Sequence, residues 1–425
     1  MQWSIRRFYT CVLCFGGVIL VFLVYHPRSP IYSSRFGIGA DFSTGSTSHT
    51  CKPVPDLNNS HTKRNWYLCG GTEFPEKTPG PHKIFPQDDP GDRVLEQLMY
   101  LPDNYEGYNS TEKVILVYND LGDWNNVKIK TGAFHGCPVN RCVLTDDKWR
   151  AVDADAIIFS DAFKHPGVYR PPNQLWMLYF LESPKHTKPL KYPELFNWTL
   201  TYRRDSTVVD PYRRWMYYNP KVRQKHQEMN YAANKTKKVA WFVSNCKAAN
   251  KRLEYALELS KYITVDIFGY CGPFRCPRHD ENACFELLER DYKFYLAFEN
   301  SNCRDYITEK LYVNGLGHNV LPIVMGAHPL DYQYSAPEKS YIHVDEFSGP
   351  AELATYLHHL DKNDNAYNAY FRWKGTGEFI STYFWCRLCT MLHAPTQDKH
   401  YYNNVNTWWR GDGICTNKSW TTDGY

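Results

Sequence analysis

The stretch 294–310, FYLAFENSNCRDYITEK, constrains the fold more than any other part of the chain. It opens with five apolar residues typical of a buried strand. After a polar loop, apolar residues recur at helical spacing behind Asp305, the predicted helix N-cap. The loop 299–304 should therefore lie at the carboxyl end of a strand and the amino end of a helix, where open α/β sheets bind ligands.

Tyr306, Glu309 and Lys310 fall at positions i, i+3 and i+4 of this predicted helix, on one face. The carboxylate could accept hydrogen bonds from ribose hydroxyls and the ammonium could lie beside phosphates, so the trio could hold a nucleotide sugar. From spacing alone, the solvated polar face of an amphipathic helix is the commoner explanation.

Strand and helix patterns alternate along the chain, which predicts α/β architecture with mainly parallel sheets. Two domains are predicted, at 94–230 and 238–370, on either side of a basic connection. Their strand-like runs lie at 114–118, 156–159 and 175–181 in the first domain, and at 239–244, 263–269, 319–324 and 341–344 in the second.

The composition indicates a glycosylating, oxidising compartment. A net charge of +4 over 425 residues is mild, so a nucleic-acid partner is not predicted. Of 14 cysteines two lie in the first apolar run, which leaves an even number for disulfides. The predicted N-glycosylation sites are Asn58, Asn109, Asn197, Asn234 and Asn417.

Residues 8–25 are almost continuously apolar and follow Arg6 and Arg7. At about 1.5 Å per residue a helix of this length nearly spans an early secretory bilayer. A cleaved signal peptide is the alternative, but no small-residue cleavage site follows. The sequence thus predicts a cytosolic tail (1–7), a single-pass signal anchor (8–25), a stem (26–93) and a lumenal catalytic part.

Two further positions carry candidate chemistry. Lys251 and Arg252 open a predicted helix, where cations oppose the helix dipole; a bound anion would explain them, and on charge alone a basic solvated turn explains them equally well. Glu182 ends the run 175–181; alone, such a residue is more often a surface residue, although a half-desolvated carboxylate suits proton abstraction. Asp153 and Asp155 precede a strand, so no metal-binding Asp-X-Asp site is predicted.

FENS followed by DYITEK resembles the signature of the α1,3-fucosyltransferases, glycosyltransferase family 10, which transfer L-fucose from GDP-fucose. LESP (181–184) with LTYRRDS (200–206) resembles the family's first-domain motif, and the resemblance covers about residues 110–375. It implies a GT-B fold, with two Rossmann-like domains facing a cleft after the transmembrane helix and stem. It also implies an inverting transfer with Glu182 as catalytic base, and donor contacts from Tyr212, Ser244, Asn245, Arg252, Tyr295, Asn300, Tyr306, Glu309 and Lys310.

The resemblance implies no required cofactor, GDP-fucose being the donor substrate. Arg252, Lys310 and helix amino ends can stabilise a leaving diphosphate without a bound ion. Stimulation by Mn²⁺ stays open. The expected partners are GDP-fucose, an N-glycoprotein acceptor and the Golgi membrane.

The tail, residues 371–425, is rich in aromatic residues and contains a CxxC pair, Cys386 and Cys389. A redox or zinc site is the alternative to structural disulfides, but no second CxxC lies at zinc-finger spacing. The resemblance implies that this pair is bonded to Cys137 and Cys142, clamping the tail across the cleft.

The acceptor is the least determined part of the prediction. The segments VAWFVSNC, NKRLEYALELSKYI and CRLC resemble the branch that fucosylates the Asn-linked core N-acetylglucosamine of N-glycans. A Lewis-type enzyme acting on outer N-acetyllactosamine or LacdiNAc, and a catalytically inactive sugar-binding scaffold, remain alternatives. Trp124 and His135 could contact the acceptor or only pack locally.

Overall fold

The computed structural model describes residues 11–15, 18–22, 64–119, 131–160, 163–276, 280–395 and 402–420. Trp124 and Asn58, for which roles are predicted, lie outside these residues.

Two segments of the predicted anchor are described. They are strands β1 (Cys11–Phe15) and β2 (Val18–Phe22), which pair antiparallel with Cys11 opposite Phe22. No helix in the described ranges combines the length and the apolar character needed to cross a bilayer. The structure thus has strands where a helix is predicted, because short runs rich in Val, Ile and Phe suit either conformation.

The first large sheet is parallel, with its strands in the order β4-β3-β5-β6-β7-β8. The predicted runs supply three strands, and the other three are too short or too polar to stand out. The strands are β3 (Lys113–Val117), β4 (Cys142–Thr145), β5 (Ala156–Ser160), β6 (Leu175–Phe180), β7 (Trp198–Thr201) and β8 (Val208–Val209).

The second large sheet is also parallel, in the order β11-β10-β12-β14-β15. Its strands are β10 (Lys237–Phe242), β11 (Val265–Phe268), β12 (Tyr292–Phe298), β14 (Leu321–Met325) and β15 (Ile342–His343). The sheet grows outward in both directions from the neighbours β10 and β12. Ligands bind doubly wound sheets at the carboxyl ends of the strands where the order reverses, which here means between β10 and β12.

Helices cover both faces of the two sheets. The α-helices are α1 (Val94–Leu98), α2 (Arg252–Leu259), α3 (Glu281–Asp291), α4 (Pro329–Ser335), α5 (Pro350–Lys362), α6 (Asp364–Asn368), α7 (Phe384–His393) and α8 (Val405–Arg410). A π-helical turn spans Lys310–Gly315, and 3-10 turns span Gly107–Asn109, Thr131–Phe134, Lys148–Val152, Val344–Glu346 and Ala369–Phe371.

The tail belongs to the first sheet's core. Leu388 of α7 packs on one face of that sheet and Trp409 of α8 packs on the other. Strand β9 (Arg214–Tyr217) pairs antiparallel with β16 (Gly377–Ile380). Disulfides join the four cysteines as the resemblance implies, in the pairs Cys137–Cys386 and Cys142–Cys389. Residues from 371 onward are therefore not a separate appendage.

The stem boundary predicted at residue 93 is too late. Tyr67 and Ile84 are buried in cores beside the first sheet, and Trp66 donates from its indole nitrogen to the carbonyl of Leu98. Sparse apolar residues in a Pro- and Gly-rich segment do not produce a period in the sequence, although Tyr67 and Ile84 are buried in the folded protein.

Candidate active site

Glu182 follows β6, at the carboxyl edge of the first sheet. Its carboxylate atom Oε1 accepts the backbone N–H of Ser183 at 2.8 Å. The preceding carbonyl, that of Leu181, accepts the phenol of Tyr212 at 2.9 Å. The carboxylate is thereby oriented by its own turn, and Tyr212 supports the backbone beside it.

The second sheet brings its own loop to this carboxylate. We call residues 299–310, which follow β12, the signature loop. Asn300 donates from Nδ2 to Glu182 Oε1 at 3.2 Å, and the Tyr306 phenol donates to the same oxygen at 2.7 Å. Burial, followed by the charge of Glu182, raises the pKa of Tyr306, so this phenol remains a donor. Candidate base and candidate nucleotide-sugar loop are therefore in direct contact.

The conformation of the signature loop differs from the prediction. Asp305 is not a helix N-cap: it has a φ of 58° and helical structure begins only near Lys310. Its carboxylate instead accepts the Arg204 side chain, Nε to Oδ1, at 2.6 Å. Tyr306 consequently does not share a helical face with the later residues.

Buried Glu299 takes the place of a helix cap. Its carboxylate accepts the backbone N–H of Thr308 at 2.8 Å and the Thr308 hydroxyl at 2.9 Å. Glu299 also lies 3.0 Å from the ammonium of Lys310, and Glu309 lies at the same distance. Burial opposes the charge of Lys310, but the two carboxylates outweigh it and the pKa of Lys310 is raised.

Arg252 occupies the place where the order of the second sheet reverses. It begins α2 and is 4% exposed. Nη1 donates at 2.7 Å to the carbonyl of Phe298, the last residue of β12, and Nη2 donates at 3.1 Å to the carbonyl of Asn245, after β10. Nε is buried and has no hydrogen-bond partner in the described part of the chain. A buried guanidinium held this way can meet an anion in the crevice.

The remaining predicted donor contacts lie on the same sheet. Ser244 and Asn245 are exposed in the loop after β10, which the disulfide Cys246–Cys271 ties to the neighbouring strand's loop. Tyr295 is fully buried within β12, and its phenol accepts a hydrogen bond from Asn314 at 3.1 Å. The structure thus brings Ser244, Asn245 and Arg252 to one edge of the sheet, whereas Tyr295 lies in the core beneath it.

Several contacts at the site carried no signal in the sequence. Ser301 Oγ lies 2.9 Å from Ser183 Oγ and 3.1 Å from His186 Nδ1, so polar side chains of both sheets meet beside Glu182. Arg204 also contacts Asp331, whose carboxylate accepts the backbone N–H of Asp305 at 2.8 Å. The contacts of Ser301 with Ser183 and His186, and that of Arg204 with Asp331, each join residues more than 100 positions apart in sequence.

No metal site emerges from the described residues. The one cluster of potential ligands there is Cys142, Cys389 and His393, and its two sulfur atoms form a disulfide. Asp155 accepts Lys113 Nζ at 3.0 Å and the backbone N–H of Val114 at 2.8 Å, a structural role for the Asp-X-Asp letters. His135 is exposed.

Comparisons with known proteins agree along the chain. Residues 110–213 match the model "Fucosyltransferase, N-terminal", and residues 232–408 match "Glycosyltransferase family 10 (fucosyltransferase) C-term". Glycoprotein 3-alpha-L-fucosyltransferase A of Drosophila melanogaster is 53% identical over 86% of this chain and 76% of its own. Alpha-(1,3)-fucosyltransferase fut-1 of Caenorhabditis elegans is 33% identical over 65% of this chain and 66% of its own.

A crystal structure of an α1,3-fucosyltransferase with GDP-fucose resembles this fold more distantly. It is 16% identical, with a TM-score of 0.46 over 73% of this chain and 98% of that one. On the two family matches and the long similarity to the Drosophila protein, the chain belongs to glycosyltransferase family 10, the fucosyltransferases.

Proposed function

We propose that this protein transfers L-fucose from GDP-β-L-fucose, in α1,3 linkage, to the Asn-linked N-acetylglucosamine of N-glycans on glycoproteins. The observation that carries the proposal is the contact of Glu182 with Asn300 and Tyr306 of the signature loop. The name of the Drosophila relative, similar over 86% of this chain, supports the same reaction. Two doubly wound parallel sheets whose carboxyl edges meet at this contact support the GT-B arrangement.

Glu182 acts as the general base in a single displacement. It takes the proton of the acceptor 3-hydroxyl while that oxygen attacks the anomeric carbon of fucose. The bond from that carbon to the β-phosphate oxygen breaks, GDP leaves, and the new linkage is α. A positioned base typically contributes about 10²–10⁴-fold to the rate.

The leaving diphosphate is stabilised by fixed cations. Arg252 lies where the order of the second sheet reverses, and its buried Nε has no hydrogen-bond partner among the residues that the structure describes. Lys310 follows in the signature loop. Lys310 lies 3.0 Å from the carboxylates of Glu299 and Glu309, whose charges raise its pKa, so the ammonium stays protonated where an incoming anion would meet it. Such cations can do the work of a divalent ion. We therefore propose a metal-independent reaction, and activity lost to a chelator and restored by Mn²⁺ would contradict it.

Glu182→Gln tests the base directly. We expect at least about a 100-fold loss of kcat, because a positioned base contributes that much, with GDP binding by calorimetry unchanged. Glu194→Gln, at an exposed glutamate of the same half of the protein, is the matched control and should keep full activity. Near-normal turnover of the Glu182 variant would refute the assignment.

Two acceptors separate the core enzyme from the Lewis-type enzyme. An N-glycopeptide with an exposed core and a free N-acetyllactosamine are each incubated with labelled GDP-fucose. Labelling of the glycopeptide at its innermost N-acetylglucosamine supports the proposal. Labelling of the lactosamine alone would move the protein to the Lewis-type branch, and labelling of neither would favour a scaffold.

We further propose that residues 8–25, although their described segments pair as β1 and β2, hold the protein in the Golgi membrane as a single-pass type II anchor, with the catalytic part lumenal. The apolar run after Arg6 and Arg7 supports this topology, as do disulfides such as Cys137–Cys386, which need an oxidising compartment. Protease protection of a carboxyl-terminal tag in sealed Golgi vesicles tests it. Digestion of that tag without detergent would contradict it.

A further inference from the structure

Residues 402–420 run from the first sheet to the signature loop, and we call them the C-terminal strap. At the loop end, β17 (Cys415–Thr416) pairs antiparallel with β13 (Asn302–Cys303). A disulfide joins Cys303 to Cys415, and Asn302 donates from Nδ2 to the carbonyl of Lys418 at 3.0 Å. The strap is therefore covalently attached between Asn300 and Tyr306, two residues of the signature loop that donate to Glu182.

The other end of the strap holds the turn that carries Glu182. Thr187 Oγ1 accepts the Trp409 indole N–H at 2.9 Å and Arg410 Nη2 at 2.9 Å. The same hydroxyl donates to the carbonyl of Ser183 at 3.2 Å, while the N–H of Ser183 donates to Glu182. The strap thus reaches the carboxylate through one hydroxyl, that of Thr187, and the backbone of one residue, Ser183.

A second route from the strap passes through aromatic rings. Trp409 is 1% exposed, and its ring centroid lies 5.5 Å from that of Tyr202. The Tyr202 ring lies 5.1 Å from the ring of Tyr306, whose phenol donates to Glu182. The contacts through Thr187 and those through Tyr202 therefore both end at Glu182 Oε1. Most of the strap lies beyond residue 408, where the match to the family model ends.

We propose that the C-terminal strap is a positioning device for the reaction, and that Thr187 is its positioning residue for Glu182. By fixing the turn and the signature loop to one segment, the strap keeps the base facing the donor before substrate arrives. Misplacement of a catalytic group by about 1 Å can cost about 100-fold in rate, so loss of such a hold is measurable. The inference rests on the proposed role of Glu182 as base.

Thr187→Val removes the hydroxyl and keeps the shape of the side chain. We expect kcat to fall about 10- to 100-fold, while the KM for GDP-fucose and the Kd for GDP change less than about twofold. The acid limb of the kcat–pH profile should shift, since the surroundings of the base change. Thr187→Ser restores the hydroxyl and should restore kcat.

Thr355→Val is the matched control. Thr355 lies exposed on α5 and donates to the carbonyl of Ala351 at 3.0 Å, the same local bond that Thr187 makes. The Thr355→Val variant should have the kcat and the kcat–pH profile of the wild type. Rates are normalised to active sites titrated with GDP, so partial unfolding does not count as a loss of kcat.

Trp409→Phe gives a second test should Thr187→Val fail to fold. It keeps an apolar ring and removes the indole donor, and we expect the same fall in kcat with donor binding retained. Trp149→Phe, at an exposed ring, is its control. Wild-type kcat in both variants, or a loss confined to the KM for donor, would overturn the proposal. Full activity of Glu182→Gln would instead refute the base itself.

Discussion

The phenol of Tyr306 donates to the carboxylate of Glu182 at 2.7 Å, although 124 positions separate the two residues in sequence. One follows a strand of the first sheet and the other follows the central strand of the second. Because Tyr306 is 2% exposed and packs against Tyr202, the phenol is held in place before any substrate binds. The contact therefore couples the base to the donor side of the site.

Tyr306→Phe should slow the reaction without unfolding the protein. A hydrogen bond to a charged group contributes about 1.5–3 kcal/mol, so we expect kcat/KM to fall between about 10- and 150-fold. The buried ring remains, so the protein should still fold, with a melting temperature lowered by about ten degrees at most. Tyr108→Phe, at a phenol that is 86% exposed, is the control for the chemical change. Unchanged kcat/KM for Tyr306→Phe would show that the contact is not used.

Arg204→Met should weaken the join between the two halves of the protein. Arg204 lies 2.6 Å from Asp305 and also contacts Asp331, and both carboxylates are nearly buried. Removing one member of a buried ion pair costs about 3–5 kcal/mol, because the partner charge stays buried and unpaired. Urea unfolding at pH 8 measures this loss. Arg223→Met, in an exposed pair with Glu338, should cost at most about 1 kcal/mol.

The same variant should depend on pH. Burial and then the charge of Asp305 raise the pKa of Asp331 to about 7. In acid this carboxyl is neutral and needs no cation, so the destabilisation by Arg204→Met should be smaller at pH 5.5 than at pH 8. An equal loss at both values would contradict this account.

Long apolar runs made most of the second sheet predictable. All seven side chains of β12 are buried, and five of them form the apolar run 294–298. The apolar runs of β10 and β14 predict these strands almost as clearly. β8 has two residues and β4 has four, too few for a period, so the first sheet was only half predicted.

The site shows the opposite limit. Asp305 is a residue type that often caps helices, but here its carboxylate accepts a hydrogen bond from Arg204, which lies in another loop. A local sequence pattern cannot identify a partner so far away in the chain. Thr187 and Trp409 meet across 222 positions for the same reason. Local pattern identifies which loops carry chemistry, whereas the contacts that orient them are tertiary and leave no period in the sequence.

Asp210 should give the stability a measurable pH dependence. It is buried, accepts the Tyr179 phenol at 3.0 Å, and burial raises its pKa from 3.8 to about 6. Between these values the folded protein keeps the proton that the unfolded chain releases, so rising pH favours unfolding. The free energy of unfolding of the wild type minus that of Asp210→Asn should fall by on the order of 2–3 kcal/mol between pH 4 and pH 7. Urea unfolding of both proteins measures it; a constant difference would contradict it.

Asn197 should carry no glycan in the folded protein, although its sequon is intact. The side chain is 0% exposed, and Oδ1 accepts the backbone N–H of Trp176 at 2.9 Å, so a sugar there would prevent β6 and β7 from packing. Asn109, Asn234 and Asn417 are exposed and accessible. Enzymatic deglycosylation in heavy-oxygen water followed by peptide mass spectrometry should label those three and leave Asn197 unlabelled.

Asn197→Gln should destabilise the protein by about 1–3 kcal/mol because a buried N–H loses its acceptor, whereas Asn109→Gln should not. A glycan on Asn197 of active enzyme would contradict the buried position.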